Sequence, residues 1–376
     1  MPLTQNDYER ISGLSPLAEK ETFRPLRSSR ENLQAFTHTL EKRENGTCEF
    51  LSEENLCKIH QDFGIEAKPS ICRLFPYTFT VTPDAVLASL SFASTAVLSN
   101  SGSLLSDQID TLTSQYELYK GLFKPNAELW QSLQLIDGEA LPWRDFKKLD
   151  DDFSELLYSE NCEQNKAPTN LAEKLRKFSE KVQGLLKNPS DAEKEPRLES
   201  RPKIVDQILL KHLERLYFPA DVFKNDKYDL DARAMLGEMV AAPQSISFGQ
   251  GKEARKYADL ISIKLSGLAP EIEELIDRFL YLRFFSKLFF GPGFHHLSLL
   301  AGLHHLTTLH VILRLKIKQW MLLNDADAIS FLELAELLRK LERRLTQLDL
   351  SAQSQSMLEV LLCSPVRQQR ILFLSA

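Results

Sequence analysis

Three cysteines, Cys48, Cys57 and Cys72, fall within twenty-five residues of one another. Thiolates are soft ligands that suit zinc and iron–sulfur clusters, and a closed tetrahedral site takes four donors brought from separate backbone segments to one point. Cys48 and Cys57 are separated by eight residues, a spacing that a short strand and turn would span, and Cys72 follows a Gly64–Pro69 segment able to fold back. His60 completes a Cys-x-x-His pattern with Cys57 and is the nearest candidate for a fourth ligand; Cys162 and Cys363 could arrive only through tertiary folding. The competing reading makes all five cysteines small buried hydrophobes with no metal. Spacing alone leaves both open.

Several elements must position these thiols. Thr4 and Asp7 form a capping pair for a short helix through Tyr8 and Ile11, and Ser29–Lys42 has the pattern of a second helix. The cysteine segment itself is loop-rich. After it, Thr78–Phe92 alternates apolar and small polar residues on both sides of Thr82-Pro-Asp84, which predicts a β-hairpin. From about Gln108 the period becomes helical. Helices are expected over Ile109–Phe123, Trp143–Tyr158, Leu171–Leu186, Ile204–Tyr217, Ile272–Phe290, Phe294–Leu323, Glu333–Leu348 and Ser354–Leu362. Gly291-Pro-Gly293 separates the two most apolar of them and reverses the chain. The expected architecture is mainly α. A loop-rich cysteine module with a hairpin occupies 1–105, and a helical bundle occupies 106–376 with an exposed linker, rich in proline and charge, near 188–203.

Bulk properties narrow the function. In 376 residues, 46 Lys and Arg face 52 Asp and Glu for a net charge of −6, with no basic stripe to neutralise phosphates, so nucleic acid is not an expected partner. No stretch reaches the roughly 18–20 apolar residues of a bilayer span, and no basic-then-apolar leader opens the chain. The expected location is the cytoplasm, where five cysteines argue for ligation or burial over disulfides.

Other constellations carry less. His295, His296, His304, His305 and His310 crowd one predicted helix, but no two stand three or four residues apart as helical chelation needs, so packing or hydrogen bonding is expected of them. Phe248-Gly-Gln-Gly-Lys-Glu253 fails as a phosphate loop, because Ile246 replaces the first glycine and Glu253 the magnesium-binding hydroxyl. Phe279, Tyr281, Phe284, Phe285, Phe289 and Phe290 read as core, with Arg278, Arg283 and Lys287 capping carbonyls or pairing with carboxylates.

Cys48-Glu-Phe-Leu, Leu56-Cys-Lys-Ile-His60, Gly64, Lys68-Pro-Ser-Ile-Cys-Arg-Leu-Phe-Pro76 and Leu90-Ser-Phe92 together resemble the bacterial YkgJ-type cysteine-cluster family, a zinc- or iron-chelating group that includes flagellin lysine N-methylases. Tyr281–Gly293 resembles a stretch of its longer members. The resemblance implies zinc or an iron–sulfur cluster on Cys48, Cys57 and Cys72. It also implies an S-adenosylmethionine-dependent protein-lysine methyltransferase acting on a protein such as flagellin, although no residue here marks a methyl-donor pocket. Family members usually carry a Cys-x-x-x-Cys-Cys group just before the segment that here reads Pro2–Tyr8, and many have a cysteine where this chain has Ser94. The expectation is therefore either a start upstream of Met1 or a divergent member with a depleted cluster. The alternative from another class is a non-enzymatic helical interaction protein with a metal-free cysteine module.

Overall fold

The computed structural model describes residues 1–14, 22–26, 35–43, 46–158, 169–186, 202–219, 230–241, 245–265 and 268–375. The fold is mainly α, and the chain divides into two compact units. The first comprises Met1–Ser91 with Asn100–Ala127; the second comprises Phe92–Ser99 with Glu128–Ala376.

In the first unit, β1 (Pro2–Thr4), β2 (Phe23–Pro25) and β3 (Phe36–Leu40) form an antiparallel sheet in the order β1-β3-β2. Helix α1 (Gln5–Ser12) begins where Thr4 accepts the Asp7 N–H and Asp7 accepts the Thr4 N–H, the reciprocal cap expected from the sequence. The expectation of a helix over Ser29–Lys42 is corrected, since its described part is strand β3. Phe36-Thr-His-Thr-Leu40 alternates, and both strand edges of that segment are satisfied by β1 and β2, so pairing outweighs the weaker helical pattern. Two short helices follow, α2 (Lys58–Phe63) and α3 (Ser70–Leu74), and then the expected hairpin of β4 (Tyr77–Val81) and β5 (Val86–Leu90). After α4 (Thr95–Leu98), which belongs to the second unit, α5 (Ile109–Phe123) returns to the first. Its Leu122 joins Phe36, Leu74 and Phe79 in a core where Tyr116 and Tyr119 pack on Phe79 at ring distances of 5.5 and 5.4 Å.

The second unit continues with α6 (Trp143–Tyr158), α7 (Leu171–Gly184), α8 (Ile204–Tyr217), α9 (Ala232–Ala241), α10 (Tyr257–Ser262), α11 (Pro270–Phe285), α12 (Leu299–Asn324), α13 (Phe331–Gln347), α14 (Ala352–Leu362) and α15 (Pro365–Leu372). Helix α12 is buried along most of its length and packs against α7, α11, α14 and α15. Among the described residues no helix is long and apolar enough to cross a membrane. The expected linker falls largely outside the described residues, as does Cys162, while Lys203 precedes α8.

The turn between α11 and α12 is wider than Gly291-Pro-Gly293. Helix α11 stops at Phe285, Lys287 takes a φ of 56°, and His295 and His296 have φ of 49° and 56°, so these two histidines precede α12 and are not on it. The sequence expectation of one five-histidine helix is corrected accordingly: an apolar run continues through the turn because the turn is buried, and periodicity does not register its reversed backbone. The turn packs tightly. A Cβ on Gly302 would lie 2.4 Å from the Phe289 carbonyl oxygen and 2.6 Å from Phe290 Cβ. The expected helical aromatics are core, with Phe279, Phe289 and Phe290 fully buried. Their neighbouring cations are paired: Arg278 donates to the Val97 and Leu98 carbonyls, Arg283 to Glu342 at 3.1 Å, and Lys287 to Asp150 at 2.6 Å.

Two outcomes are expected. Gly302→Ala forces backbone apart and should cost about 1–3 kcal/mol, read as a lower urea midpoint; an unchanged midpoint would contradict this packing. Asp277 accepts the N–H of Leu171 at the start of α7, and burial pushes its carboxyl up from 3.8 to about 6. The folded state therefore holds that proton more tightly than the unfolded chain, so the contribution is full below about pH 4 and lost as pH rises through about 6. Asp277→Asn should accordingly raise stability relative to the parent by on the order of 1–3 kcal/mol at pH 7.5 and by much less at pH 4, in paired denaturation curves.

Candidate metal centre

Each of the three clustered cysteines is delivered by a different local device. Cys48 forms an isolated antiparallel bridge with Lys42, just after β3, and its carbonyl accepts the Leu51 N–H in a tight turn. The Arg43 guanidinium holds that turn by donating to the carbonyls of Glu49 and Leu51 at 2.7 and 2.9 Å. Cys57 bridges Leu51 and stands at the head of α2, where its carbonyl accepts the Gln61 N–H. Phe50 and Ile59, beside the two bridges, are buried in the same small core as Leu3, Ile11 and Leu40, and Met1, Cys48 and Cys57 pack against that core.

Cys72 lies inside α3, and one buried carboxylate sets where that helix starts. Asp7 is completely buried; its Oδ1 accepts the Ser70 N–H at 3.0 Å, the Ser70 hydroxyl at 2.8 Å and Arg10 Nη2 at 2.6 Å. Arg10 also donates to the carbonyls of Ala67 and Lys68. The 67–70 segment is thus gripped from α1, and Cys72 follows it to meet Met1, with Sγ and Sδ 2.9 Å apart.

Burial pushes the Cys72 thiol up to about 12, and the nearby Cys48 and Cys57 push in the same direction. The Cys48 thiol is raised too, first by burial and then by Cys57. Burial and the neighbouring thiols thus oppose ionisation of Cys48 and Cys72, and a soft metal ion is the cation whose chemistry matches thiolate donors. The donors fit zinc or iron by type. Among the described residues no group of three or more His, Cys, Asp and Glu side chains is already arranged around one metal-sized point.

His60 sits on α2 with its side chain exposed, in contrast to buried Ile59 beside it. Cys363 belongs to the second unit, where it contacts Glu359 at 3.2 Å and burial pushes its thiol up to about 12. Ser94, also in the second unit, is buried at the head of α4. The histidines of α12 are packed and hydrogen-bonded in part, as expected. His304 Nδ1 pairs with the Leu362 carbonyl and His305 Nε2 with the Tyr217 hydroxyl, each at 2.6 Å, and burial pushes His304 down to about 4.

Sequence reasoning missed Arg10, Arg43 and Met1. It read Asp7 as a helix cap, while the capping box hid the second task of that carboxylate, which is to bind Ser70 from across the chain. Removing it should leave the Ser70 donors and the Arg10 cation unsatisfied. Asp7→Ala is expected to cost about 3–5 kcal/mol and to increase the rate at which a thiol reagent modifies Cys72; unchanged stability and unchanged labelling would refute this role.

The comparisons with known proteins agree with the site's chemistry. Residues 1–95 match the family model described as "CxxCxxCC: Putative zinc- or iron-chelating domain". No curated protein and no solved structure matches the chain. The methyltransferase, S-adenosylmethionine and flagellin expectations rest on the resemblance alone. Residues 1–95 are thus similar to a zinc- or iron-chelating cysteine-cluster domain, and within them Cys48 and Cys57 pack against one small core while Cys72 lies near enough to feel both.

Proposed function

We propose that the first unit binds zinc or iron through the thiolates of Cys48, Cys57 and Cys72. What supports this reading is the placement of Cys48, Cys57 and Cys72 on three separately anchored segments, with Cys48 and Cys57 packed on one small core and both opposing ionisation of Cys72. The protein's own contribution is positional. Arg43 holds the Cys48 turn, the Leu51 bridge holds Cys57, and Asp7 with Arg10 holds the segment that leads into Cys72. Bound there, zinc would supply a cross-link between these segments, and an iron–sulfur cluster would supply electron transfer as well. The fourth donor is His60, brought in by a turn of α2, or a thiol or thioether from elsewhere in the protein.

The test is metal content of the full chain, reconstituted without oxygen with zinc alone or with ferrous iron and sulfide, then desalted. About one equivalent of zinc, or a sulfide-to-iron charge-transfer spectrum, is expected. Serine at Cys48, Cys57 or Cys72 should abolish retention, and His60→Ala should weaken it only if His60 is the fourth donor. Zinc at a hundredfold excess over its dissociation constant should stabilise the chain by about 3 kcal/mol. A parent protein that retains neither metal, or a triple-serine variant that retains as much as the parent, overturns the proposal.

A further inference from the structure

The second unit contains a cleft of about 910 Å³ between α7, α11, α12 and α15. That volume lies within the range of small-molecule sites, roughly 300–1,000 Å³. Its wall is mixed: Pro270, Leu372 and Phe373 give apolar surface, and Phe373 is nearly half exposed although its neighbour Leu374 is fully buried. Charged side chains line the rest, and their pairing is uneven.

Three of the four carboxylates at the cleft are matched to arginines. Glu173 pairs with Arg176 at 2.6 Å, Glu273 with Arg314 at 2.8 Å, and Glu274 with Arg278 at 2.9 Å. Asp277 is the exception. It is 8% exposed, and its partners are the backbone N–H groups of Asn170 and Leu171. Arg314 is near enough to favour its charge, but Glu273 already holds that guanidinium with both oxygens. Among the described residues no cation bonds this carboxylate, so the two N–H groups and the more distant Arg314 offset its desolvation only in part, and its proton is held up to about pH 6.

His310, on α12, also lines the cleft, and it has a similar deficit. It is 9% exposed, and its Nδ1 is buried without a hydrogen-bond partner. Burial, and then Arg314, push the imidazole down to about 3, so it stays neutral near pH 7 and can accept a hydrogen bond without repelling a cation. His304 and His305, six and five residues earlier, each bond a protein group through one ring nitrogen. His305 Nδ1 is buried without a partner as well, but of these three histidines it is His310 that lines the cleft.

We propose that this cleft binds a small organic ammonium ion, with the Asp277 carboxylate as its counter-ion, the neutral His310 imidazole as a hydrogen-bond acceptor, and its hydrocarbon portion against Leu372 and Phe373. Apolar surface beside one unmatched carboxylate suits an alkylammonium better than a bare metal ion, which would need several oxygen ligands not already engaged by arginine. The site is independent of the metal reading, because every residue it uses belongs to the second unit.

Calorimetric titration of the full chain with pentylamine, cadaverine and spermidine, with pentanol as the uncharged comparator, tests the proposal. At least one amine should bind with a dissociation constant below about 10 mM, and pentanol should bind at least about tenfold more weakly than pentylamine. Asp277→Asn keeps an oxygen for the Leu171 N–H and should weaken the amine about tenfold or more. His310→Gln should weaken it less. Absence of amine binding, equal binding of pentanol and pentylamine, or parent-like affinity in folded Asp277→Asn overturns the assignment. The comparison of alcohol with amine needs no variant, so it decides the matter on the parent chain alone.

Discussion

One buried carboxylate organises the first unit. Asp7 has no exposed surface, yet its two oxygens accept from the Thr4 N–H, Arg10, the Ser70 N–H and the Ser70 hydroxyl. A carboxylate so placed is tolerable because four donors engage its oxygens and one of them is a guanidinium. The consequence is geometric. β1 and α1 become fixed to the beginning of α3, so Cys72 is held beside Met1, while β3, pairing with β1, leads directly to the Lys42–Cys48 bridge. The sheet therefore carries one thiol and the carboxylate carries another to the same neighbourhood.

The resulting thiol cluster is costly as charged groups and comfortable as neutral ones, because burial opposes ionisation and each thiolate opposes its neighbours. Thiols in that condition give up their protons most readily in exchange for a cation. The second unit handles buried charge differently. Arg283 with Glu342, Lys287 with Asp150, Lys316 with Glu214, and Arg370 with Asp206 are ion pairs, so each buried charge faces its opposite. Asp277 departs from that pattern among the described residues, and its cleft is a place in this unit where a solute could supply what the chain does not.

Much of the helical architecture was legible before any coordinates. Ile109–Phe123, Trp143–Tyr158 and Ile204–Tyr217 are helices over the spans their apolar period marks, because residues three and four apart on each meet on one inward face. The hairpin was legible too, since Thr82-Pro-Asp84 interrupts two alternating runs. The pattern failed where sequence neighbours did not decide the outcome. β3 is a strand because β1 and β2 flank it, and α11 stops at Phe285 although apolar residues continue, because the buried turn at Lys287 interrupts the helix without interrupting the hydrophobicity.

The candidate sites divide along the same line. Residue type by itself determined the donor chemistry: three thiols in a loop-rich segment are soft donors, while their spacing left a metal site and plain burial both open. Their convergence was decided by tertiary structure, because Asp7 and Ser70, which position Cys72, are sixty-three residues apart, and no local periodicity encodes a hydrogen bond across that distance. The same holds for Asp277 and His310. Nothing in their local sequence distinguishes them from the paired acids of α11 or the bonded histidines of α12; only packing determines which charged or polar group finds a partner and which is left facing a cavity.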